Sequence, residues 1–292
     1  MSVEQWRERR LAHADRADRL TEAHRARQLR GEKHPVEDFL FSYYTVRVAE
    51  LRRWHPGAGI SLAGPRPGDA PDADGPAPKW YRGSADGSLR VDAAAFLDRR
   101  GRTVDLIERL LRATLDRPAR FGCFGLHEWA MVYRLDPEEI RHRGLSLRLG
   151  SEHSDRVVQE NPIGCTHFDA YRFFTPEAAP LNEERPTRDT QVDTEQAGCL
   201  HANMDLYKWA GKLGPLVPGE LLLDCFELAR DIRRVDMRAS PYDVSPYGLE
   251  AVRIETPAGK REYARLQRGF TERANPLRDR ILDAITAARA AS

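Results

Sequence analysis

Lysine is scarce in this chain. Five of the 46 basic residues are lysine (Lys33, Lys79, Lys208, Lys212 and Lys260), and the other 41 are arginine. Schiff-base chemistry needs a lysine amine, and only Lys208 and Lys212 lie among other reactive side chains. Arginine stays charged and forks onto carboxylates and phosphates. Cysteine is sparse too, with four residues: Cys123, Cys165, Cys199 and Cys225. A run of about 18 apolar residues is missing, so no membrane-spanning helix is expected. The opening segment MSVEQWRERRLAHADRADRL has no apolar stretch of signal-peptide type. A cytoplasmic protein with free thiols is the expectation. An excess of one charge is also absent, since 46 basic and 45 acidic residues leave a net charge of +1. That excludes a polybasic arm or acidic tail, so any nucleic-acid surface must be local.

What is present reads as one mainly α domain over residues 1–292, with a small β-hairpin and one or two short strands. Residues 2–31 predict a solvated helix with Trp6, Leu11, Leu20 and Leu29 as sparse apolar positions. Pro35 opens a second helix running to Trp54, with Phe39, Leu40, Tyr43, Val46 and Leu51 near helical spacing. Residues 58–90 are rich in Gly and Pro and read as a loop excursion. Within it, KWYR and SLRV flank GSADG as a hairpin. Asp92 starts a long helix that Pro118 ends. AVRIET (251–256) reads as a strand. A last helix after Thr256-Pro257 carries Tyr263, Leu266, Phe270, Leu277, Ile281 and Ile285 on one face.

Three segments share a pattern: GCFGLHEWAMVYR (122–134), GCTHFDAYRFF (164–174) and GCLHANMDLYKWA (198–210). Each runs Gly-Cys, then His, then an acidic residue, then Tyr and a basic residue. Three readings are open. Each segment can open a helix, with Cys as a small buried side chain. Glu128, Asp169 and Asp205 can serve a metal-free polar active site. Or His127, His167 and His201, with those carboxylates, can hold zinc or non-haem iron. His201 and Asp205 are spaced i, i+4, which places both on one helix face.

A further helix follows Pro218-Gly219. Its Glu220, Asp224, Glu227 and Asp231 form a carboxylate stripe, read either as a solvated face or as a source of ligands. The stretch VDMRASPYD (235–243) is expected to be irregular, with Asp236, Arg238, Tyr242 and Asp243 as polar candidates.

KHPVEDFLFSYY (33–44), RRWHPG (52–57), the three Gly-Cys segments and DCFELARDIRRVDMRASPYD (224–243) together resemble a bacterial family carried under the name 3-methyladenine DNA glycosylase. The resemblance spans nearly the whole chain outside residues 58–90. It implies DNA as partner and hydrolysis of the N-glycosidic bond of alkylated purines in DNA repair. Such enzymes flip the base into an aromatic pocket, for which Trp129, Tyr133, Tyr171, Tyr207 and Tyr242 are candidates, with Arg238 on an anion. It implies Asp236, seventeen residues after Gly219, as the aspartate assisting water; Leu221 occupies the place of the second glycine of a phosphate-gripping turn. From the residues alone, a metal-dependent enzyme on a small molecule and a non-catalytic nucleic-acid-binding module are the alternatives.

Overall fold

The computed structural model describes residues 1–64, 79–140 and 144–292. Among the described residues, eleven α-helices and one three-stranded antiparallel sheet make the chain mainly α. Among the described residues, no helix is long and apolar enough to cross a membrane.

Helix α1 (Val3–Arg30) opens with a capping box between Ser2 and Gln5 and stops at Gly31 in the left-handed conformation. Its packed stripe is Trp6, His13, Ala17, Thr21 and His24. Leu11 and Leu29, expected to pack, are 61% and 91% exposed. Leu11 follows Trp6 by five residues, roughly 140° around a helix that turns about 100° per residue. The face that packs is thus partly polar, and His13 Nε2 lies 3.0 Å from the Leu51 carbonyl.

The expected helix from Pro35 to Trp54 is two short ones, α2 (Phe39–Tyr43) and α3 (Val48–Arg52), separated by extended backbone at Tyr44 and Arg47. The break turns Tyr44 inward, where its hydroxyl donates to Asp205 Oδ1 at 3.0 Å. It also seats Val46 against Gly211, where a Cβ would collide with the valine. Tertiary burial overrides the helical spacing.

Strands β1 (Ser61–Leu62), β2 (Tyr81–Gly83) and β3 (Leu89–Val91) pair in the order β1-β3-β2, with Tyr81 opposite Val91 and Gly83 opposite Leu89. The β2–β3 hairpin is the one expected around GSADG; Asp86 tightens its turn by accepting from the Ser88 amide and hydroxyl. Residues 65–78 of the Gly/Pro-rich excursion lie outside the described residues.

Helices α4 (Ala93–Asp116), α5 (Leu126–Ala130), α6 (Gly150–Gln159), α7 (Phe168–Tyr171), α8 (Gln191–Thr194), α9 (Leu200–Leu213), α10 (Gly219–Ala239) and α11 (Pro257–Ala290) complete the chain. The centre is the α9–α10 pair, covered by α11, which also packs on α4, while α1 crosses α10 and α3. Trp129, Tyr207, Phe226 and Tyr263 fill the core between them.

Two expectations at the C-terminal side are corrected. AVRIET forms no strand: Val252 and Ile254 are buried, but the Val252 amide donates to the Arg238 carbonyl at 2.8 Å instead of joining a ladder. Helix α10 runs on to Ala239, so Asp236 and Arg238 sit in a regular helix and not in an irregular segment. The carboxylate stripe of α10 is a docking face. Glu220 pairs with Arg9, Asp224 with Arg16 and Arg280, Glu227 with Arg16, and Asp231 with Arg273.

Candidate metal centre

Each Gly-Cys segment leads into a helix. His127 is the second residue of α5, His167 immediately precedes α7, and His201 is the second residue of α9. The approach to α5 is a tight left-handed turn, with φ 47° at Phe124 and 75° at Gly125. A Cβ on Gly125 would lie 3.3 Å from Ala239 Cβ and from the Tyr263 ring. Glycine thus relieves backbone strain and admits α5 close to the end of α10. At Gly198, before α9, a Cβ would strike the Arg120 carbonyl. Gln196 secures that approach by accepting from the Arg120 and Gly198 amides.

The three imidazoles gather. Ring centroids are 4.5 Å apart for His127 and His201 and 5.4 Å for His167 and His201. The ligand atoms that come within 4.8 Å of one another belong to His127, His201 and Asp236. His127 Nε2 is 3.0 Å from Asp236 Oδ1. Neighbouring ligands on an ion bound at about 2.1 Å are roughly 3.0–3.4 Å apart, which the His127–Asp236 pair already matches. His201 is the half-buried member of the three.

Asp236 is fully buried, and its second oxygen is 3.1 Å from Arg233 Nη1. The same nitrogen is 3.1 Å from Glu128 Oε1, so one guanidinium bridges two carboxylates. Arg233 also stacks on Phe39, its Cζ 4.0 Å from the ring centroid. Burial opposes a charge on His127, but the Asp236 carboxylate outweighs it and holds the imidazole well above its ordinary pKa. Burial, reinforced by the charge on His127, takes His201 down to about 3. His201 is therefore neutral, with a lone pair to offer. Burial would raise Asp236, yet His127 and Arg233 keep it well below the usual carboxylate range. Burial and the Asp236 charge push Glu128 up.

His167 belongs to an adjacent group. Its Nε2 lies 3.2 Å from Glu195 Oε1 and 3.5 Å from Asp205 Oδ2. Lys208 Nζ sits 2.8 Å from both Asp205 Oδ2 and Asp169 Oδ2. Arg172 is 3.2 Å from the other oxygen of Asp169. His201, Asp205 and Lys208 follow one another along α9, so this helix serves both groups.

A cavity of about 320 Å³ opens beside the centre. Phe39, Tyr43, Met131, Phe173 and Tyr242 give it an aromatic and apolar lining, and Glu128, Asp169, His201 and Arg233 a polar wall. On the other side of His127 and His201, Cys123, Cys165 and Cys199 line a chamber of about 10 Å³, room for about one water. Cys123 Sγ is 3.7 Å from His127 Nδ1. Burial raises the Cys165 and Cys199 thiols, which keeps them protonated. A larger groove of about 950 Å³ runs past His24, His34 and Asp38. Asp38 in that groove is held by Arg27, His24 and the His34 amide.

Of the aromatic candidates, Tyr242 lines the cavity. Trp129 is a core residue whose indole donates to the Ala239 carbonyl at 2.9 Å, and Tyr207 is fully buried against Phe226. Tyr133 is buried and accepts from Gln159, Tyr171 packs on Phe174, and Arg238 donates to the Glu250 carbonyl. Sequence reasoning missed Glu195 and Arg233, and it read Phe39 and Tyr43 only as helix packing. Arg233 carries a usable signal: it precedes Asp236 by three residues on a helix, the spacing of an ion pair. Glu195 carries none, since nothing local ties it to His167.

No family model, no curated protein and no solved structure matches this chain.

Proposed function

We propose that this protein is a metal-dependent enzyme acting on a small molecule, with His127, His201 and Asp236 as ligands of one divalent ion. One observation carries the reading: two imidazoles and a carboxylate from three separate elements have their ligand atoms within 4.8 Å of one another, and His201 is shared with a cavity of about 320 Å³. Two histidines and one carboxylate suit zinc and non-haem iron(II), with coordination positions left for water or substrate. A bound ion polarises a substrate oxygen or lowers the pKa of its water. The cavity is of small-molecule size, and its aromatic lining favours a planar apolar body. Glu128, pushed up by burial and by the Asp236 charge, is the acid–base group at the polar wall. Arg233 fixes the Glu128 and Asp236 carboxylates relative to each other.

The test is elemental analysis of protein purified without chelators or metal-affinity steps. The expected result is a transition metal near stoichiometry, lost in Asp236→Asn and His201→Gln. Protein that carries no metal and binds none when supplied with zinc or iron(II) contradicts the reading.

A second reading keeps the alkylpurine glycosylase, favoured by the aromatic lining of the same cavity. Glu128 then faces the base, because Asp236 is fully buried with both oxygens engaged. Release of free base from methylated DNA by the wild type, and its loss in Glu128→Gln, would select this reading. No release from either eliminates it.

A further inference from the structure

Positive charge gathers at the end of α9 opposite His201. A recess of about 420 Å³ there is lined by Arg53, Lys79, Arg100 and Lys212, which come from the end of α3, the entry to β2, α4 and α9. Its one carboxylate is Glu50, already held by the Arg47 amide at 2.9 Å and the Arg47 guanidinium at 3.0 Å. Arginines elsewhere on the surface are paired off, as along the α10 stripe. Here they are not. Among the described residues, Lys79, Arg100 and Lys212 make no ion pair; each stands over a ring instead, of Trp80, Phe96 and Trp209, at 4.9, 6.0 and 5.0 Å from the centroid. Lys208, one turn before Lys212, is spent on Asp169 and Asp205. Burial and the Lys208 charge lower the pKa of Lys212, as expected where negative charge is short. The backbone adds a second signal. Trp80, in the wall, has a φ of 76°, a strained conformation for a bulky residue. Its carbonyl accepts from the Asp92 amide at 2.8 Å, which fixes the turn that carries Lys79.

We infer that this recess binds the diphosphate group of a small molecule. A cleft walled by one sign of charge concentrates the opposite ion. Three unpaired cations and Arg53 exceed the roughly two charges of a single phosphate, so a diphosphate is the better match. The volume is of small-molecule size. The cations surround a recess, whereas a nucleic-acid backbone needs them strung along a groove. The inference stands apart from the metal centre and does not depend on it.

Calorimetric titration of the full chain with pyrophosphate tests it, at an ionic strength of about 0.15 M to screen diffuse attraction. The expected result is saturable binding of a single pyrophosphate per chain. Lys79→Gln, Arg100→Gln and Lys212→Gln should each weaken it about tenfold, the loss of one charge-assisted contact. Arg261→Gln, which removes an exposed cation of α11 outside the recess, should bind as wild type does. So should Asp236→Asn, because the site is not the metal centre. Inorganic phosphate should bind more weakly than pyrophosphate. A nucleoside diphosphate, run beside pyrophosphate, tells by its tighter or looser binding whether the ligand carries a base or is the free anion. No saturable binding up to about 1 mM, or equal binding in all three recess variants, overturns the inference. Loss of binding in Asp236→Asn alone moves the anion to the metal and overturns it too. Duplex DNA that binds and is weakened by the recess variants, where pyrophosphate is not bound, replaces it with a nucleic-acid surface.

Discussion

Arg233 has the largest structural burden of any single side chain at the centre. It is 3% exposed and bridges two buried carboxylates, Glu128 and Asp236. Arg233→Leu leaves Glu128 without its cation and Asp236 with His127 alone, for an expected cost of ~3–5 kcal/mol, read as a lower urea midpoint. Arg233→Lys should cost less, because charge is kept and only the fork is lost. An Arg233→Leu midpoint within error of wild type would show that the bridge is dispensable. His55 gives a pH signature away from the centre. Burial, with the charges of Arg53 and His13, lowers it to about 3 from 6.5. Its Nδ1 is 2.7 Å from the Tyr81 hydroxyl. Below pH 6.5 the unfolded chain binds this proton and the folded chain does not until about pH 3. Stability should therefore fall as pH drops through that window. Between about pH 6.5 and 5, above the carboxylate range, the melting temperature of His55→Asn should slope less steeply than that of wild type. Equal slopes would remove His55 from the account. At this scale the sequence was informative where chemistry is local. His127, His201 and their acidic neighbours stand out by residue type and repetition, whereas Glu195 is tied to His167 only through the fold.

The elements bring the centre together through their ends. Helix α5 reaches α10 only because Gly125 tolerates a φ of 75° and has no side chain between Ala239 and Tyr263. Gly125→Ala should cost ~1–2 kcal/mol through backbone handedness alone, more if the 3.3 Å contacts cannot relax. Gly198→Ala should be worse, since its Cβ meets a carbonyl and not a flexible side chain. Chemical denaturation of both variants checks the order; the reverse order would contradict it. Long capped helices were legible in advance: Ser2, Asp92 and Thr256 each cap where the sequence places a helix start. The break between α2 and α3 was not, because it depends on Tyr44 reaching Asp205 across the fold. The true end of α10 was hidden likewise. The polar stretch at 235–243 suggested an irregular segment, but Asp236 and Met237 are buried against other elements, which continues the helix.

Over the whole molecule, a near-zero net charge conceals a division of labour. Surface arginines of α1 and α11 grip the acidic stripe of α10, each exposed pair contributing at most about 1 kcal/mol. The buried charges collect at one end of the α9–α10 pair instead. Burying that many ionisable groups opposes folding, and a bound cation would offset it. Metal at about 100 times its dissociation constant should add ~2.7 kcal/mol, a rise in melting temperature of about 4 °C for a chain of this size. Chelator should reverse the rise, and Asp236→Asn should not show it. The most direct test is anomalous diffraction from crystals grown with iron(II) or zinc, recorded on both sides of the metal edge. The account predicts a peak within about 2.0–2.2 Å of His127 Nε2, an imidazole nitrogen of His201 and an Asp236 oxygen. Refined occupancy of that position by nothing more than water, with His127 still bonded directly to Asp236, would contradict it.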